Sequence, residues 1–205
     1  MPKIQQYRDP KDLQRVLAGK ADGWKRVLGV DLGTNCGVAW ADIKPGMSAD
    51  AAIYHAGQLS LDLGPYDTGP LRHIRLKQFL SVTCPDIIGY EDVKNTPDIK
   101  GFGGKRLGMI VARIANAAEL LGGFKITLAT WAEENGVPVQ GYAIGAIKKF
   151  ATGKGNSGKP AMIEAANERF GVDLPVADHD KTGADNIADA LHIAHMTVTH
   201  YGAGI

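Results

Sequence analysis

The sequence has little cysteine, no long apolar run and almost no net charge, and each shortage excludes a class of protein. Its 205 residues include two cysteines, Cys36 and Cys84, without the spacing of a metal site. Two thiols in a chain of this length indicate a reducing compartment, not a disulfide framework. No stretch approaches the roughly 18 apolar residues of a membrane span, and residues 1–6 lack the apolar core of a secretory signal. We therefore predict a cytoplasmic protein without a membrane partner.

The net charge of +1 is a weak argument against a nucleic-acid partner, but the distribution of charge favours one. Two segments, residues 99–118 and 137–163, contain no acidic residue and carry several basic ones around glycine-rich loops. Such clusters are typical of phosphate-binding surfaces, and a solvated basic face explains them equally well. The candidate DNA contacts in these segments are Lys105, Arg106, Lys148, Lys149, Lys154, Lys159 and the aromatic Phe102. The ring of Phe102 either stacks on an unpaired base or tucks back into the fold.

The most informative segment is residues 26–40, where two apolar runs flank a glycine-containing turn. This pattern predicts a β-hairpin with Asp31 at the end of its first strand. A half-buried carboxylate is costly unless a cation lies beside it, and divalent metals prefer carboxylate oxygens. Asp31 is therefore a candidate metal ligand, the alternative being an aspartate that caps the turn.

Two later segments add three more acids. Residues 86–91 form another short apolar run that ends in an acid, Glu91. Asp185 and Asp189 are four residues apart, so on a helix they share one face, where like charges repel. Solvated acids would explain each segment separately, but a metal centre explains them together. Two metal ions about 3.5–4 Å apart activate water and neutralise a phosphodiester, and three or four carboxylates would hold them.

The order of these motifs resembles the RuvC-type Holliday junction resolvases of the ribonuclease-H-like superfamily. The likeness rests on Asp-x-Gly-Thr-x-x-Gly from Asp31, the strand ending in Glu91, and Asp-Asn-x-x-Asp-Ala-Leu from Asp185. Residues 147–156 add a likeness to the phage and prophage branch. In cellular resolvases the helix acids are three residues apart, whereas here Asn186 stands three before Asp189. Whether Asp185 or Asn186 faces the metal is therefore open.

The resemblance implies a homodimeric endonuclease that resolves four-way (Holliday) and other branched DNA. It would make paired nicks with 5′-phosphate and 3′-hydroxyl ends, using two Mg²⁺ ions per site, with Mn²⁺ able to substitute, and no nucleotide cofactor. If the chain is phage-encoded, it acts in the cytoplasm of a bacterial host. We expect Asp31 to bridge the two ions, Glu91 to hold the ion that activates water, and Asp189 with Asp185 to hold the other.

The pattern of apolar residues predicts an α/β, ribonuclease-H-like fold with a mixed five-stranded sheet and helices on both faces. We expect one nuclease domain over residues 25–205 after an N-terminal arm, residues 1–24. The predicted strands are 25–32, 37–43, 52–61, 86–91 and 137–142. The predicted helices are 69–82, 106–121, 126–134, 146–150, 160–170 and 185–199, with a break at Gly122-Gly123.

Several alternatives remain at this point. Asp92 is a substitute for Glu91, although it should face the other way on a strand. We expect Cys36 to fill the hairpin and not to act as a nucleophile, and His192 and His195 to pack and not to bind metal. The turn after Asp31 also resembles the phosphate hairpin of actin-like ATPases, but the chain is too short for their two domains. A non-catalytic DNA-binding relative and a nuclease acting on RNA–DNA hybrid are the remaining possibilities.

Overall fold

The computed structural model describes residues 4–7, 20–93, 104–176 and 182–201. Side chains are described for 20–93, 115–176 and 182–201. Three of the predicted DNA contacts, Phe102, Lys105 and Arg106, lie outside the described side chains. None of the described helices is long and apolar enough to span a membrane.

A mixed sheet forms the centre of the molecule, and the five predicted strands are all present in it. The strands are β1 Ile4–Tyr7, β2 Lys25–Asp31, β3 Asn35–Ile43, β4 Ile53–Ser60, β5 Ile87–Glu91 and β6 Val139–Tyr142. β2, β3 and β4 are an antiparallel meander, and β5 and β6 run parallel to β2 in the order β4-β3-β2-β5-β6. A sixth strand, β1, comes from the segment predicted as an arm and pairs parallel with β4.

Helices cover both faces of the sheet, as predicted. The helices are α1 Leu71–Thr83, α2 Gly104–Glu134, α3 Ile144–Thr152, α4 Lys159–Phe170 and α5 Ala184–Tyr201. Along β2, Leu28 and Val30 face one core with α1 and α2, and Val27 faces a second core with α4 and α5. Strands buried on both faces explain the near-continuous apolar runs in the sequence.

The predicted break at Gly122-Gly123 is wrong, because α2 runs through both glycines without interruption. A glycine in a helix costs about 1 kcal/mol relative to alanine. Phe124 and Leu128 follow at once and are fully buried in the core beneath the helix. Burying such a side chain contributes about 1.5–3 kcal/mol, so packing outweighs the cost of two glycines.

Helix α5 packs closely on three strand glycines, meeting the backbone of the helix at two of them and a threonine side chain of the helix at the third. A β-carbon on Gly37 would lie 1.9 Å from the carbonyl oxygen of Asn186. On Gly29 it would lie 2.4 Å from the nitrogen of Ala194, and on Gly89 2.1 Å from Thr197 Oγ1. These contacts fix the distance between α5 and the three strands β2, β3 and β5.

The two cysteines differ in accessibility, which gives a direct test of this fold. Cys36 is buried on β3, and burial followed by the charge of Asp31 raises the pKa of its thiol. Cys84 is exposed at the end of α1. We expect an aromatic disulfide reagent to modify one thiol per native chain quickly and the second only on unfolding. The Cys84→Ser variant should lose the fast phase; rapid modification of Cys36 would contradict the fold.

Candidate active site

Two neighbouring parallel strands bring Asp31 and Glu91 to the same edge of the sheet. Asp31 is the last residue of β2 and Glu91 the last of β5, and the register pairs Val30 with Tyr90 just before them. The first turns of α5 carry Asp185 and Asp189 over the same edge, because Gly37 lets the helix reach the hairpin. The four predicted acids therefore come together from two strands and one helix.

Their charges act on one another. Burial raises the pKa of Asp31 well above its ordinary value, and the charges of Asp189, Glu91 and Asp185 raise it further. Burial also raises the pKa of Asp189 to about 7, with added contributions from Glu91 and Asp185. The pKa of Glu91 is raised mainly by burial. The charges of the four acids thus meet at one site, called here the carboxylate unit, and Asp189, with a pKa of about 7, is partly protonated at neutral pH.

Cations compensate this charge only in part. Lys159 donates a hydrogen bond to Asp185 and forms an ion pair with it. Among the described side chains, none forms an ion pair with Asp31, Glu91 or Asp189. Three half-buried acids therefore lack a direct ion-pair partner among the described side chains, which is costly for their charged forms in a folded protein.

The chemistry of these donors fits a hard divalent cation, since Mg²⁺ prefers carboxylate oxygens. Within the described residues, however, no three acidic, histidine or cysteine side chains are gathered closely enough to hold an ion as they stand. The acids shift one another's pKa without forming a ready metal site because a charge acts over several ångströms. A ligand oxygen, in contrast, must lie about 2.0–2.6 Å from its metal. An ion bound here would have to draw the carboxylates closer together, and Lys159 occupies only one of the two carboxylate oxygens of Asp185.

The structure separates the roles of Asp185 and Asn186, which the sequence left open. Asp185 is buried and its charge acts on both Asp31 and Asp189. Asn186 instead donates a hydrogen bond from Nδ2 to the backbone oxygen of Asn35, at 2.6 Å. Asp185 is therefore part of the carboxylate unit, and Asn186 ties the helix to the turn between β2 and β3.

Of the predicted DNA contacts whose side chains are described, two adjoin the carboxylates. Lys148, half-buried on α3, lowers the pKa of both Glu91 and Asp189. Lys159 contacts Asp185 directly. Lys149 and Lys154 are exposed on the same stretch of chain.

The remaining candidates lie outside the carboxylate unit. Asp92 forms an ion pair with Lys125 and does not replace Glu91. His192 contacts the backbone oxygen of Met162 through Nε2, at 3.0 Å, and His195 contacts Tyr54. Burial lowers the pKa of both histidines to about 4, so they are neutral packing residues, as predicted from the sequence.

Comparison with known proteins places the fold. No family model matches the chain, and no curated protein matches it. Among solved structures, RuvC of Thermus thermophilus has 19% identity over 87% of this chain and 96% of its own, with a TM-score of 0.58. T. thermophilus RuvC in complex with a Holliday junction substrate has 20% identity over 87% and 97%, with a TM-score of 0.57. The yeast mitochondrial Holliday junction resolvase Ydc2 has 17% identity over 93% and 88%, with a TM-score of 0.55.

These similarities define the class of fold. The chain has a RuvC-like, ribonuclease-H-like architecture, which confirms the fold expected from the motifs. Its assignment to the phage and prophage branch remains a prediction.

Proposed function

We propose that this protein is a metal-dependent endonuclease that resolves four-way and other branched DNA by paired hydrolytic nicks. The observation that carries the proposal is the set of four acids at one edge of a RuvC-like sheet, three of them with no direct ion pair to any described side chain. Repelling acids lower the stability of a protein, so their presence together is best explained by a bound cation.

We assign Asp31, Glu91, Asp185 and Asp189 as the residues that would hold two Mg²⁺ ions, with Mn²⁺ able to substitute. When bound, such ions supply an activated water, neutralise the phosphate and assist the leaving oxygen. Lys148 and Lys159 add positive charge beside the carboxylates, where the phosphodiester must approach. The raised pKa keeps the Cys36 thiol protonated, so it does not act as a nucleophile.

The choice of substrate rests on solved structures that share the fold: T. thermophilus RuvC is in complex with a Holliday junction substrate, and yeast Ydc2 is a Holliday junction resolvase. Symmetrical cutting of a four-way junction requires two active sites that face opposite strands. A homodimer with two-fold symmetry supplies them, and we therefore propose that the protein acts as a homodimer.

Cleavage of a labelled four-way DNA junction in Mg²⁺, beside linear duplex and RNA–DNA hybrid, tests this function. We expect paired nicks in opposite arms whose 5′-phosphate and 3′-hydroxyl ends a ligase can rejoin, and no cleavage by Asp31→Asn. Tight binding without cleavage would instead indicate a non-catalytic junction-binding protein. Cleavage of the hybrid alone would retain the chemistry and replace the substrate.

Lysine substitutions test where the DNA lies. Lys154→Gln should weaken junction binding and reduce the slope of log affinity against log salt by about 1, with little change in the cleavage rate of bound DNA.

Lys148→Gln should also shift the pH–rate profile to higher pH, because Lys148 lowers the pKa of Glu91 and Asp189. Gel-shift titrations over a salt series and single-turnover rates over a pH series measure the two effects. Identical behaviour of the two variants would show that Lys148 does not act on the carboxylates.

A further inference from the structure

A polar and aromatic cavity lies at the end of the sheet opposite the carboxylates. Two adjoining cavities of about 200 Å³ and 660 Å³ share Asp50, Arg169 and His195. Register places Asp31 opposite Gly37 at one end of β3, and the chain that carries Asp50 follows the other end of that strand. On α5, His195 comes ten residues after Asp185, which is about 15 Å along a helix.

The floor of this cavity presents hydrogen-bond acceptors. The Tyr54 hydroxyl is 3.0 Å from both the backbone oxygen of Ala49 and Nδ1 of His195. It donates its one proton to Ala49, so it accepts from Nδ1–H of His195, whose Nε2 then carries a lone pair. His195 is 4% exposed, and its Nε2 lies 3.7 Å from Asp50 Oδ1, too far for a hydrogen bond. A ligand with N–H groups would satisfy both acceptors.

The walls of the cavity present aromatic rings and a cation. The Phe170 ring lies edge-on to Tyr54 and to His195, with centroids 5.0 and 5.7 Å apart. The Arg169 guanidinium lies 5.6 Å from the centroid of Phe150. Arg169 is exposed and forms no ion pair with any described residue. Its donors remain free for an anionic group.

We propose that this cavity is a nucleotide-binding site for a base with an exocyclic amino group, whose phosphate pairs with Arg169. The amino group donates to His195 Nε2 and to Asp50, the base lies against Phe150 and Phe170, and the guanidinium binds the phosphate. The ligand is either a free nucleotide or an unpaired nucleotide within a strand, since both present the same base and phosphate. The site uses none of the four carboxylates, so nucleotide binding here can be tested separately from the proposed nuclease activity.

Calorimetric and NMR titration of the full chain with dCMP tests the proposal, with dTMP, deoxycytidine and a single-stranded oligodeoxycytidine as comparisons. We expect dTMP, which lacks the amino group, and deoxycytidine, which lacks the phosphate, each to bind about tenfold more weakly than dCMP. Arg169→Gln should weaken dCMP binding by about the same factor and remove the advantage of dCMP over deoxycytidine. Asp50→Asn should reduce the preference for dCMP over dTMP. Both substituted residues are exposed, and unchanged melting temperatures would verify folding.

Lys77→Gln on α1 is the matched control, because it removes an exposed cation from the opposite face of the sheet and should leave dCMP binding unchanged. Binding of the oligodeoxycytidine alone, with the same dependence on Arg169, would identify the ligand as a nucleotide within a strand. The proposal would be overturned if neither dCMP nor the oligonucleotide binds. Equal binding by the native protein and Arg169→Gln would overturn it as well.

Discussion

Asp189→Asn should strongly reduce junction cleavage and, at the same time, stabilise the metal-free protein. Asp189 has a pKa of about 7 in the folded chain, against 3.8 for an ordinary aspartate. Between those values the folded state keeps a proton that the unfolded state releases, so stability falls as pH rises through this window. The pKa difference corresponds to up to about 4 kcal/mol above pH 7, which the neutral asparagine does not lose. Cleavage should fall about a thousandfold, the scale of several kcal/mol of lost charge stabilisation.

Thermal unfolding without metal over a pH series measures this effect. The gain in melting temperature should be largest above pH 7 and vanish below about pH 4, where both proteins have a neutral side chain. Adding Mg²⁺ should raise the melting temperature of the native protein more than that of Asp189→Asn. Asp173→Asn, at an exposed loop position, is the matched control and should change neither quantity. A destabilised Asp189→Asn at pH 8 would show that the carboxylates do not repel as described.

Gly37→Ala should cause the largest loss from a single added methyl group. The new β-carbon would lie 1.9 Å from the backbone oxygen of Asn186, so the helix and the strand must separate. Overpacking of this kind costs about 1–3 kcal/mol, and contact with rigid backbone favours the upper end. Because Asp185 adjoins Asn186, the separation also moves its carboxylate away from Asp31. We therefore expect both a lower free energy of unfolding and a loss of the stabilisation by Mg²⁺.

Gly122→Ala supplies the comparison, since a β-carbon there meets nothing within 4 Å. On α2 the same change should stabilise the protein by up to about 1 kcal/mol through helix propensity. Urea unfolding of both variants, with and without Mg²⁺, separates a general effect of losing glycine from the specific clash at Gly37. A Gly37→Ala protein as stable as the native one would contradict the close packing of α5 against β3.

The order of elements followed from the sequence because its apolar runs are short and sharply bounded. Predictions from neighbouring residues were wrong, or missed an element, where contacts between distant parts of the chain determine the secondary structure. The Gly122-Gly123 pair predicted a break, but the burial of Phe124 and Leu128 keeps the helix continuous. The Ile4–Tyr7 strand has two glutamines at its centre and no pattern of alternation, so only its pairing with β4 reveals it.

The four acids were predictable because each stands at the end of an apolar run or on one face of a helix. The choice between Asp185 and Asn186 was not, because neighbouring residues on a helix differ by about 100° in direction and both lie near the sheet. Which of the two side chains faces the other acids depends on how α5 packs against Gly37, and a single sequence does not reveal that packing. The sequence also marked Lys148 and Lys159 only as basic residues, since their proximity to Glu91 and Asp185 comes from how α3 and α4 pack.

The close packing of α5 on strand glycines also has a consequence for biosynthesis. Asp31 and Glu91 are translated early, whereas Asp185 and Asp189 arrive with the last of the described helices. Until Asp185 has been made, a growing chain has only half of the four carboxylates and lacks the helix that packs on Gly29, Gly37 and Gly89. Under the proposed function, such a chain lacks two of the four acids that would hold metal and is expected not to cut the nucleic acids around a ribosome. Cleavage would require the last described helix to have packed on the sheet.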